Sequence, residues 1–255
     1  MDIPTATFVT FYALVIACAF PFADLAKMRK LQRQTSATAR LSAYRYVAIF
    51  LWIAAAMAIL LAPSRTLFIV ARSPADFGWL YAHPWALGLA MLLTGVLVTL
   101  IVAPGLQCIR NSAVRQKIAN AMQDMRFLLP VSKAERRWWL LLSVSAGVCE
   151  ELLYRGFLLE FLRGRLDGGP QLGLTAAWLL SSIAFGTAHL YQGVAGIIKT
   201  TVVGLLVGML AILSGSLLLP ILCHILFDAQ ILWMYRPADD APDQAHLLID
   251  GGEPA

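Results

Sequence analysis

A chain of 255 residues that is 59% hydrophobic and 14% charged, with a mean hydropathy of +0.71, is too apolar for a water-soluble domain. Its net charge of +5 does not indicate nucleic acid, because the basic residues sit in connections beside apolar runs, where membrane topology and anionic lipid headgroups account for them. Four cysteines (Cys18, Cys108, Cys149 and Cys223) lack metal-site spacing and fall mostly in or against apolar segments, which excludes a disulfide framework and a redox function.

Ile3 to Phe22 is the first apolar run, and without the basic n-region and cleavage site of a signal peptide it reads as a transmembrane helix. Ala23 to Ala43 follows with Lys27, Arg29, Lys30, Arg33 and Arg40 against Asp24, the charge density of a cytoplasmic loop. A second span runs from Tyr44 to Leu61 and a third from Pro84 to Val102, the latter closing at Pro104. Between them Pro63–His83 carries Trp79 and Tyr81, which with Trp85 suggest an interfacial aromatic belt on the outer side. The connection Pro104–Arg137 holds seven Lys and Arg residues and reads as cytoplasmic. Val114, Ile118, Met122, Met125 and Leu129 recur in it at helical spacing, as in an amphipathic helix on the anionic inner leaflet or, alternatively, a solvated linker helix.

Trp138 to Phe161 is long enough for a fourth span, yet it contains Glu150, Glu151 and Arg155. Each charge at that depth costs about 2.5–3.5 kcal/mol, so the three together need a reason. Glu151 and Arg155 are four apart on one helical face and can neutralise each other. Glu150 is rotated by about 100° and receives no partner from its own segment. Either it serves chemistry or it is a neutral acid bonded to a neighbouring helix. After the turn signal Gly168-Gly169-Pro170, a fifth span from Leu172 to about Leu190 places Phe185 and His189 on one face, and a sixth runs from Val194 to Leu213. A seventh, from Ser216 to Met234, pairs His224 with Asp228 at the same spacing. The acidic tail 236–255 has too few apolar residues to fold by itself.

In that order on successive helices, Glu-Glu-x-x-x-Arg (150, 151, 155), Phe-x-x-x-His (185, 189) and His-x-x-x-Asp (224, 228) resemble the three motifs of the CPBP group, the CAAX proteases and bacteriocin-processing enzymes also called the Abi family. The resemblance spans roughly Gly147 to Trp233. It implies a multi-pass membrane endopeptidase in which Glu150 and His189 activate a water while His224 and Asp228 hold substrate or oxyanion, with Glu151, Arg155 and Phe185 in supporting roles. Position 228 is Asp, where the eukaryotic prenyl endopeptidases have Asn. An ionised Asp228 would repel an oxyanion, so it is either protonated or orients His224. Glu150, His189, His224 and Asp228 also offer oxygen and nitrogen ligands for zinc, which keeps a metal-assisted route open beside the metal-free one.

The expectation is therefore an all-α bundle of about seven transmembrane helices in a single domain over 1–235. It comprises N-terminal helices over 3–102, a basic amphipathic connection over 104–137, and a catalytic core over 138–234. Twelve Lys and Arg residues in the two basic connections, against four in Pro63–His83 and Arg163–Pro170, put the N-terminus outside and the C-terminus in the cytoplasm of a bacterial inner membrane. The expected partners are membrane lipids and a peptide or protein substrate, lipid-modified in the eukaryotic case. A non-catalytic immunity or scaffold protein of the same fold is one alternative, and a small transporter with a polar midplane site is the other. Missing internal repeats count against the transporter.

Overall fold

A computed structural model describes residues 3–33, 36–61, 83–166, 169–214 and 216–235. Every regular element among them is helical. Residues 63–82 of the connection read as external, and the tail 236–255, lie outside the described residues.

A π-turn interrupts the first helix. Helix α1 (Ile3–Leu14) passes through Val15–Ala19 in π geometry into α2 (Phe20–Gln32). The basic stretch after Phe22 is thus not a loop: α2 carries it to Gln32, and α3 (Ala37–Leu61) already includes Arg40. Lys, Arg, Met, Leu and Gln are good helix formers, and Met28 and Leu31 are buried, so tertiary packing holds the extension in place. Helix α4 (Pro84–Arg110) likewise continues past Pro104 to Asn111. A proline costs one backbone hydrogen bond but does not stop a helix in an apolar setting.

Asn111 then caps the short α5 (Ser112–Ala121), its Oδ1 accepting from the amides of Ala113 and Val114. Of the apolar positions of this region, Leu129 is buried, and Val114, Ile118, Met122 and Met125 are half-buried. Ala119 and Leu129 are buried with Tyr235, while Met122 and Ile231 pack on them. Helix α6 (Lys133–Glu151) begins five residues before the apolar run at Trp138, because Ser132 and Glu135 form a capping box. It continues through a π-helix (Leu152–Leu158) into α7 (Leu159–Arg163). Helix α8 (Gly169–Ala188) leads through a 3-10 turn (Leu190–Gln192) into α9 (Gly193–Ser214). The chain closes with α10 (Leu218–Ala229) and α11 (Ile231–Met234). At Gly193 the chain reverses with φ of 75°, a left-handed conformation that glycine adopts without steric penalty.

Over the described residues this is an all-helical membrane protein. Three helical stretches, Ala37–Leu61, Met91–Arg110 and Leu190–Ser214, are long and apolar enough to cross a bilayer, and Ala6–Phe22, Leu172–Ala188 and Leu218–Met234 are shorter apolar helices. Exposed Phe11, Leu60, Met91, Leu92, Val194 and Ile198 give the bundle the apolar exterior that lipid requires.

Helix α6 packs between α3 and α10. Gly147 sets the second contact: a Cβ there would lie 2.5 Å from Ile225 Cγ1 and 3.0 Å from the Ile225 backbone nitrogen. Gly147→Ala should therefore push α10 away from α6 and cost about 1–3 kcal/mol, the usual range for overpacking. A thermal melt of the detergent-solubilised variant matching that of the wild type would show that the two helices do not sit this close.

Candidate active site

The three motif helices meet around Phe185. The π-helix that starts immediately after Glu151 buries Leu152 through Leu158, so Arg155 points into protein rather than lipid. Its Nη1 donates to Glu151 Oε1 at 2.8 Å and its Nη2 to the Gly204 carbonyl at 3.0 Å. Its guanidinium carbon lies 4.4 Å from the centroid of the Phe185 ring. Gly204 permits this approach, since a Cβ would come within 3.1 Å of the Phe185 ring and 3.4 Å of Arg155 Nη2. The i, i+4 pairing expected of Glu151 and Arg155 is present.

Glu151 does more than neutralise Arg155. Its Oε1 also accepts from His224 Nδ1 at 2.7 Å, across 73 residues of chain. With Nδ1 held by a carboxylate, the His224 ring turns Nε2 toward Glu150 Oε2 at 3.8 Å and Asp228 Oδ2 at 3.7 Å. Both distances exceed direct hydrogen bonding, so Nε2 can donate to an oxygen seated beside the two carboxylates, whether of water or of a bound carbonyl. On the other side of Phe185, His189 Nδ1 lies 3.0 Å from the Phe185 carbonyl. A carbonyl only accepts, so Nδ1 carries the proton and Nε2 holds the lone pair of the neutral ring. Phe185 stands nearly perpendicular to His224, at 89° and 5.8 Å, and 5.0 Å from His189.

Glu150, His189, His224 and Asp228 all line one cavity of about 310 Å³, near the lower end of the ~300–1,000 Å³ typical of ligand clefts. His189 follows α8, which ends at Ala188, and the turn after it contributes Tyr191 and Gln192 to the cavity wall. Glu151 and Arg155 lie behind this wall with side chains 0% and 1% exposed, while Glu150 is 16% and Asp228 30% exposed. Two of the N-terminal helices reach the site: Met28 of α2 and Tyr44 and Val47 of α3 supply part of its apolar lining.

Among the described residues no group of three or more His, Cys, Asp and Glu side chains is disposed to hold a metal ion. The contacts of His224 Nδ1 with Glu151 and of His189 Nδ1 with the Phe185 carbonyl do not bear on this, since they leave Nε2 of each ring uncommitted.

Two supporting residues are illegible in the motif pattern. Glu135, buried at the start of α6, accepts from Arg40 Nε at 2.9 Å and through Oε2 from the amides of Val131 and Ser132. Arg40 is therefore a buried ion-pair partner rather than one more basic loop residue. Arg136 donates to the Leu232 and Tyr235 carbonyls and caps the last helical turn. The Ser132-x-x-Glu135 spacing was the available signal for the first, and nothing local marks the second.

Residues 133–230 match the family described as type II CAAX prenyl endopeptidase Rce1-like. That part of the chain is Rce1-like, as its three motifs imply. An uncharacterized 24.3 kDa protein of Escherichia coli is 36% identical over 86 residues, which is 33% of this chain and 38% of that protein. No solved structure matches the chain. The Rce1-like segment begins at the capping box of α6 and ends at Gln230, so it takes in every side chain placed around Phe185, whereas Met28, Tyr44 and Val47 of the cavity wall lie outside it.

Proposed function

We propose that the protein is an intramembrane endopeptidase, and that Glu150, His189, His224 and Asp228 carry its chemistry. The observation that supports this best is the gap of 3.7–3.8 Å between His224 Nε2 and the Asp228 and Glu150 carboxylates, in a cavity that His189 also lines. Glu150 takes a proton from a water while the water oxygen adds to the scissile carbonyl carbon. His189 Nε2 accepts a hydrogen bond from the same water and aligns it. His224 in its protonated form, with Nδ1 held by Glu151, donates from Nε2 to the developing oxyanion, and Asp228, protonated so that it does not repel that oxyanion, stands beside it as a second donor. Collapse of the tetrahedral species breaks the carbon–nitrogen bond, and the proton held by Glu150 passes to the leaving amine. No step is routed through a metal.

Incubating the purified protein with a library of quenched peptides, followed by mass spectrometry of the products, tests this reading. Cleavage by the wild type, reduced about a hundredfold or more in Glu150→Gln, is expected. A wild type that cleaves nothing, or a variant that keeps more than a tenth of the activity, overturns it.

The same reading has seven crossings, adding the charged α6–α7 run and the three shorter apolar helices to the three long ones. The basic segments face the cytoplasm, as does the cavity. Gln116 lies in α5 on that side. An introduced Gln116→Cys, in a variant lacking exposed Cys18, should resist an impermeant thiol reagent added to intact cells and react after permeabilisation. Labelling in intact cells would reverse the orientation.

A further inference from the structure

We propose that Gln230 is a substrate-binding residue of this cavity, its carboxamide engaging the main chain of a bound peptide. The proposal rests on the endopeptidase reading. Gln230 lines the cavity together with Glu150, His189, His224 and Asp228, is 5% exposed, and its Oε1 has no hydrogen-bond partner. Buried side-chain oxygens are nearly always satisfied, and one that is not carries a desolvation penalty that a leucine or methionine of similar volume would avoid.

The residue is also rigidly placed. It sits at the break between α10 and α11, where its amide donates to the Leu226 carbonyl and its own carbonyl accepts from the amides of Trp233 and Met234. On one side Trp139 Nε1 donates to the Asp228 carbonyl at 3.0 Å, and on the other Arg136 holds the Leu232 and Tyr235 carbonyls. The backbone therefore cannot swing the carboxamide out to find a partner elsewhere. A primary amide presents a donor and an acceptor side by side, the complement of one peptide unit. Being neutral, it reads main chain rather than side-chain charge. Held two residues beyond Asp228 and six beyond His224, it would fix an extended peptide relative to the groups that act on the carbonyl.

The test uses the full chain in detergent and a quenched peptide that the wild type cleaves. Gln230→Leu should melt at or above the wild-type temperature, because it removes an unsatisfied oxygen. Its KM should rise about tenfold, the effect of one lost hydrogen bond, with kcat little changed. N-methylating the peptide amides one at a time should identify a position that costs the wild type a similar factor and costs the variant nothing. Gln230→Met serves the same comparison if the leucine variant fails to fold. An unchanged KM in a folded variant overturns the assignment while leaving the endopeptidase reading intact, and so does a lowered melting temperature with no N-methyl position silent in the variant. A wild type that cleaves no peptide overturns both.

Discussion

Glu150→Gln is expected to lower kcat by a factor of about 10²–10⁴, the range for loss of a general base, while leaving the melting temperature within a few degrees of the wild type. The substitution keeps the side-chain volume and can still hydrogen-bond, but an amide cannot take a proton from water. Glu150 is suited to show this because its side chain lines the cavity, is 16% exposed and stands 3.8 Å from His224 Nε2. Turnover at saturating peptide and a thermal melt in the same detergent decide the matter. Retention of more than a tenth of the activity would take the base role away from Glu150. A variant that unfolds would make it a structural acid.

Local spacing made much of this architecture readable. Apolar runs long enough to cross lipid are visible in the sequence, and three pairs at i, i+4 (Glu151 with Arg155, Phe185 with His189, His224 with Asp228) are found facing each other as helix geometry requires. The boundaries were less legible. Hydropathy marks where a helix leaves lipid, whereas backbone hydrogen bonding continues as long as packing supports it, so α2 extends ten residues and α4 eight past the ends of their apolar runs. The bend of α6 into π geometry at Leu152 depends on the extra turn being held by buried neighbours, which has no signature in a single segment.

Contacts across helices were not legible at all. His224 with Glu151 spans 73 residues and Arg40 with Glu135 spans 95. Neither follows from periodicity, because a helical face is known from sequence but the helix it meets is not. Arg40 shows the consequence. Among Lys27, Arg29, Lys30 and Arg33 it reads as topology, and only the fold distinguishes the one guanidinium that is buried against a capping carboxylate.

The contact between Glu151 and His224 changes what Glu151→Gln should do. Spacing alone assigns Glu151 to Arg155, which would make the variant unstable and nothing else. In the structure a single oxygen, Oε1, accepts from both Arg155 and His224. A glutamine oxygen can keep both hydrogen bonds, but the charge that neutralises a fully buried guanidinium is gone. Removing one partner of such a pair costs about 3–5 kcal/mol, which for a chain of this size lowers the melting temperature by on the order of 10 °C. His224 also loses the carboxylate that stabilises its protonated form, so activity should fall in whatever protein remains folded. Combining Glu151→Leu with Arg155→Met separates the two effects. Apolar replacement of a whole buried ion pair is often neutral or stabilising, so the melting temperature should largely return. Turnover should not, because Nδ1 of His224 then has no acceptor to hold the ring. A double variant that regains activity would confine Glu151 to neutralising Arg155. One that stays as unstable as Glu151→Gln would mean that the stranded guanidinium was not the source of the loss.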